Sequence, residues 1–107
     1  MASFLPLLLA VALVQSPDQG LELMLETECR VGLRDWRACV VEVQEPGIRW
    51  QVLVGNQRWT FRNDGSGSVK MRKNQGPWQR AEPRWDGPPP QALCWGQLCA
   101  RGPLPLD

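Results

Sequence analysis

Histidine and tyrosine are both missing from this 107-residue chain. Without histidine, Ser-His-Asp and Cys-His nucleophile arrangements and histidine-built metal sites are excluded. A membrane-spanning run is missing as well. The apolar stretch Phe4–Val14 has eleven residues, against the roughly 20 a helix needs to cross a bilayer. No glycine-rich phosphate loop is present: Gly65-Ser66-Gly67 lacks the lysine pattern and a following helix, and reads as a hairpin turn. No Lys or Arg precedes Arg30. These absences leave no visible catalytic apparatus. The chain is expected not to be an enzyme and to need no cofactor or metal.

The apolar stretch fits the h-region of a secretion signal, typically about 7–15 residues. Small residues lie at its end and just beyond it, with cleavage expected near Ala12 or Ser16. Residues 1–16 are therefore expected to be a signal peptide and residues 17–107 a single small β domain with no membrane span. The four cysteines Cys29, Cys39, Cys94 and Cys99 independently favour an oxidising compartment. The expected location is outside the cytoplasm, periplasmic or secreted.

Ten glycines and ten prolines, spread through the chain, suit short strands joined by tight turns. Leu21–Val31 alternates apolar odd positions with mostly charged even ones, the pattern of a half-buried strand. Segments 39–43, 48–54, 58–62, 69–72, 78–82, 93–95 and 98–100 read as further strands, giving about eight, and Arg84–Gln91 reads as a loop. Registers follow from the turns. A Gly55-Asn56 loop sets Val52 against Trp59, Trp50 against Phe61 and Arg49 against Arg62, with every apolar side chain on one face. A Gln44–Gly47 loop would set Val43 against Ile48 and Glu42 against Arg49. The fold class is all-β: a small antiparallel meander, braced by disulfides and closing into a barrel or sandwich, which would remove exposed edges.

Four cysteines allow three pairings. A hairpin setting Cys29 opposite Cys39, and a Gly96-Gln97 turn setting Cys94 opposite Cys99, make both bridges local. A C-x4-C spacing without histidine argues against zinc.

Charge is unevenly placed. Residues 1–46 carry three basic and seven acidic residues; residues 47–107 carry nine and four. The outer face of the third to fifth strands gathers Arg49, Arg58, Arg62, Lys70 and Arg72, with Lys73 beyond. Such a stripe is either a solvated face or a surface for an anionic envelope polymer. The net charge of +1 predicts no polyanion by itself, and nucleic acid is not an expected partner. Glu22, Glu26, Glu28 and Glu42 fall on the outer face of a shallow domain, with no cleft for paired-carboxylate hydrolysis.

Six tryptophans are present. Trp50 and Trp59 belong to the inward face. Trp36 and Trp85, in loops near arginines, are the candidates for contact with a protein or glycan. In format, a small exported β domain with one or two disulfides, the chain resembles bacterial periplasmic inhibitors of hydrolases. No motif carries that likeness, and it transfers no site. The functional expectation is a non-catalytic binding or inhibitor-like module. The alternative is an envelope-associated structural protein held by its basic sheet face.

Overall fold

The computed structural model describes residues 23–89 and 91–104. The expected signal segment lies outside them. Nine antiparallel strands form one sheet: β1 Leu23–Val31, β2 Arg37–Glu45, β3 Arg49–Val54, β4 Gln57–Asn63, β5 Val69–Lys73, β6 Gln79–Arg80, β7 Pro83–Asp86, β8 Ala92–Trp95 and β9 Leu98–Arg101. Their order across the sheet is β6-β5-β4-β3-β2-β1-β9-β8-β7. Strands β1 to β6 follow one another as a meander. The last three lie on the other side of β1, so the expected simple meander is interrupted there.

The two edge strands are consecutive in sequence. Only Ala81 and Glu82 separate β6 from β7, so Arg80 and Pro83 lie at most about 11 Å apart between Cα atoms. Edges of a flat nine-stranded sheet would stand eight strand spacings apart, roughly 38 Å. The sheet must therefore curl, and it does so into a half-barrel. Ala81 is buried, and its amide donates to Val69 O at 2.8 Å. Strand pairings give no ladder between β6 and β7 among the described residues. The sheet is curled but not closed by hydrogen bonds.

The concave side holds the core. Trp50 and Phe61 are cross-strand partners and stack with rings 5.1 Å apart and nearly parallel. Trp95 of β8 meets Phe61 of β4 at 4.7 Å, although four strands lie between them in the sheet order. That contact crosses the interior and fills the half-barrel with aromatic volume. Val41, Val43, Val52, Leu98 and Ala100 pack around it. Alternation in β2, β3 and β4 reproduces this face: Cys39, Val41, Val43, Trp50, Val52, Val54, Trp59 and Phe61 are all buried.

Two turns match the sequence expectation residue for residue. Gly55-Asn56 and Gly96-Gln97 are two-residue loops whose glycines sit at φ +61°, the left-handed conformation such hairpins require. Val52 faces Trp59, Arg49 faces Arg62 and Cys94 faces Cys99, as the sequence predicts.

Other expectations need correction. The β2–β3 register is displaced by two residues: Val43 faces Trp50, Glu42 faces Gln51, and the predicted Glu42–Arg49 pair does not form. An irregularity between Val43 and Glu45 places Glu45, not Glu42, opposite Arg49. Ile48, predicted inward, lies in the turn and is exposed. The β1–β2 register moves the same way, with Thr27 opposite Cys39 and Cys29 opposite Arg37. Both shifts are by two, so every side chain keeps its face. The strand expected over 78–82 is only Gln79–Arg80, and the expected Arg84–Gln91 loop begins with a strand, β7, paired to β8.

Both disulfides have the expected connectivity, Cys29–Cys39 and Cys94–Cys99, and no described cysteine is free. Oxidised cysteines are consistent with an extracellular or otherwise oxidising compartment. Among the described residues no helix is long and apolar enough to cross a membrane.

Candidate anion-binding face

Strands β3 to β6 expose alternate residues on the convex side, and the register fixes which of them meet. Arg49 lies directly opposite Arg62, Arg62 opposite Lys70, and Lys70 opposite Arg80. Four cations thus form one row across four adjacent strands. Directly opposed side chains stand with Cβ atoms about 4.5–5.5 Å apart, and like charges in that position destabilise a sheet. Only the ends of the row are compensated. Arg49 pairs with Glu45 at 3.4 Å, and Arg80 pairs with Glu82 at 3.1 Å. Arg62 and Lys70 have no ion-pair partner among the described residues.

A second row runs beside the first, with Gln51 opposite Thr60 and Thr60 opposite Arg72. Arg58, farther along β4, donates to the Gln51 side chain. Half-buried Trp78 lies between the rows. Arg62 sits 4.6 Å and Arg72 5.0 Å from its ring centroid. Arg72 Nε is buried without a hydrogen-bond partner. An indole held by two guanidiniums restricts both of them, and each guanidinium keeps a planar fork suited to bidentate recognition of an oxyanion.

The structure therefore gathers five sequence-predicted residues, Arg49, Arg58, Arg62, Lys70 and Arg72, on one face. It adds Arg80 and Trp78, whose place on this face no turn in the sequence fixes. Lys73, expected beyond this stripe, is not on it. It faces Trp59 across the ladder, on the concave side, with Nζ 5.5 Å from the indole centroid.

A further acidic residue, Asp64, stands at the tip of the β4–β5 turn, two positions from Arg62. Asp64 Oδ1 accepts from the Ser66 amide at 2.9 Å and the Ser66 hydroxyl at 2.6 Å. These bonds, helped by the charge of Lys70, hold its carboxyl below the ordinary value of 3.8. A depressed pKa is the opposite of what a general acid requires.

The two predicted contact tryptophans lie elsewhere. Trp36 is half-buried between Arg101 at 4.2 Å and Arg30 at 5.3 Å, a second Arg–Trp–Arg arrangement. It has its own counter-ion, since Arg101 pairs with Glu28 at 2.6 Å. A cavity of about 440 Å³ beside it is lined by Arg30, Trp36, Arg101, Asp86, Pro88 and Pro89. Trp85 does not line that cavity. It lies on edge strand β7 rather than in a loop, and is 64% exposed.

Asp86 stands close to the Cys94 and Cys99 sulfurs. Those sulfurs are bonded to each other, so they are not thiolate ligands for a metal. Comparison with protein-family models, with curated proteins and with solved structures finds no match.

Proposed function

We propose that this chain is a non-catalytic binding module exported to an oxidising compartment, periplasmic or secreted, and that its basic sheet face holds an anionic polymer such as an acidic glycan of the cell envelope. One observation carries the reading. Arg49, Arg62, Lys70 and Arg80 are set in a row of directly opposed like charges, balanced only at its two ends. Such a row costs stability in the free protein. An extended anion lying across the strands would remove that cost, with a spacing between charges of about 4.8 Å.

The test is retention of the oxidised protein on a carboxylated or sulfated polysaccharide. Binding is expected at about 0.01 M salt, where screening extends to roughly 30 Å, and release well before 1 M, where it shrinks to about 3 Å. The double variant R62Q/K70Q is expected to elute much earlier. Passage of the parent protein through the column at low salt would overturn the proposal.

A second reading, an inhibitor-like module that docks on a protein, is favoured by Trp85 and by Leu33, which is 97% exposed in the β1–β2 loop. Large apolar side chains in that setting suit a protein hot spot. Retention through them would persist at high salt and fall with Trp85→Ala, which separates the two readings.

A further inference from the structure

The open end of the half-barrel holds a cavity of about 360 Å³ that belongs to neither arginine–tryptophan arrangement. Its walls come from the end of β1, the β1–β2 loop, the start of β2, the ends of β3 and β5, the start of β4 and the β8–β9 turn. The loop and the turn are tied together, since the Gly32 amide donates to Gln97 O at 2.8 Å. Asn74 fixes the far wall. It takes the left-handed conformation at φ 55°, its amide donates to Arg58 O, and its side chain accepts from the Arg58 amide at 3.0 Å. This holds the end of β5, with Lys73, in place.

Three cations, Arg34, Arg37 and Lys73, line this cavity together with one carboxylate, Asp35. Three positive charges and one negative leave a formal excess of two. None of the four forms an ion pair within 4.0 Å among the described residues. Arg37 lies over Gly55, where a Cβ would come within 3.0 Å of its Nη2. Val54 and Trp59 supply apolar wall. The volume exceeds what a bare ion fills, at on the order of ten waters, and lies in the range of small-molecule sites, which favour the mouths of β-barrels.

We infer that this mouth is a binding site for a small organic oxyanion: its charged group is held by Arg34, Arg37 and Lys73, and its compact apolar part rests against Val54 and Trp59. The site is separate from the convex face, because Lys73 and Trp59 point to the concave side while Arg62 and Lys70 point outward.

The test is titration of the oxidised, isotope-labelled protein with phenyl phosphate, benzoate and inorganic phosphate, followed by amide and indole NMR. Phenyl phosphate is expected to shift the Trp59 indole N–H and the amides of Arg37 and Lys73 in a saturable way. Inorganic phosphate should bind more weakly for want of the apolar part. Benzoate, with one charge, reports whether a carboxylate suffices. Arg37→Gln and Lys73→Gln are each expected to weaken phenyl phosphate about tenfold. Asp35→Asn should tighten it, and R62Q/K70Q should leave it within about twofold. The spectra also report whether each variant is folded. The inference is overturned if no probe saturates at millimolar concentration, if folded Arg37→Gln and Lys73→Gln bind like the parent, or if the shifts follow R62Q/K70Q instead.

Discussion

Cys29 and Cys39 are bonded without being cross-strand partners: Cys29 lies opposite Arg37 and Cys39 opposite Thr27, yet the two Cα atoms are 5.7 Å apart. The bridge runs diagonally across the β1–β2 ladder. Cys94 and Cys99, by contrast, are direct partners, with Cα atoms 4.0 Å apart. A diagonal bridge holds the ladder against sliding, because a shift of either strand changes the distance between its ends.

Removing the diagonal bridge as C29A/C39A should cost about 3 kcal/mol on the loop-entropy model, its span being 10 residues. C94A/C99A, spanning 5, should cost about 2. Denaturant unfolding of each double variant checks the order. Equal stability of C29A/C39A and parent would show that the bridge contributes nothing beyond the ladder.

The opposed cations of the convex face predict that function and stability diverge. Lys70→Gln should raise stability by a few tenths of a kcal/mol at low ionic strength, and the gain should shrink as salt screens the repulsion. Arg62→Gln also gives up its contact with Trp78, worth roughly 0.5–1 kcal/mol, and should be net destabilising. Both should weaken retention on the anionic polymer. Melting temperatures at about 0.02 and 0.5 M salt decide it. A loss of stability in Lys70→Gln at low salt would mean the row is compensated in some other way.

Trp78 holds Arg62 and Arg72 together. Trp78→Ala should cost about 1–2 kcal/mol, at roughly 0.5–1 for each cation–π contact. It should also lower polymer affinity although no charge is removed. Trp78→Phe should restore part of both. If Trp78→Ala binds the polymer like the parent, the clamp is irrelevant to binding.

The pH response of the β4–β5 turn follows from Asp64. Its folded pKa is depressed by its bonds to Ser66. A depressed carboxyl pKa stabilises the turn above the unfolded value, near 3.9, and the contribution fades as pH falls through the folded pKa. The Ser66 amide resonance should therefore titrate with a midpoint below 3.8, and Asp64→Asn should abolish that titration. A midpoint above 4 would contradict the bonding. The side chain is fully exposed, so the effect is local to the turn.

Much of this architecture is legible from alternation, but alternation fixes a face and not a position along it. Sliding β1 against β2 by two residues leaves Cys29, Leu25 and Val41 facing inward, so the pattern cannot distinguish the observed register from its neighbour. The registers at Gly55-Asn56 and Gly96-Gln97 were readable because a two-residue loop permits one alignment. The β2–β3 connection, with its irregularity near Glu45, permits several. Strand β7 was hidden because Pro83, Arg84, Trp85 and Asp86 are all exposed and carry no inward apolar member. Five cations of the convex face follow from strand parity. The mouth cavity does not, since Arg34, Arg37 and Lys73 come together only when the sheet curls. Parity nonetheless marks Lys73 as odd, in series with Val69 and Met71, and that was the available sign that it faces inward.

The two-residue connection between opposite edges has a consequence in time as well as in space. Strands β1 to β5 can pair one after another through short turns, each closing a small loop at low entropic cost. Strand β9 must find β1 at the other end of the described chain, pairing Cys29 with Ala100. The contact of Phe61 with Trp95 depends on the same event. Assembly is therefore expected to be paced by this one late seam, with the rest of the meander waiting on it. Mutational analysis of folding rates reads this directly. Leu98→Ala, at the seam that limits the rate, should slow folding and leave the unfolding rate nearly unchanged. A chain so ordered spends its unfinished moments with the β1 edge and the aromatic cluster uncovered, and in that interval it is most exposed to misassembly with its own copies.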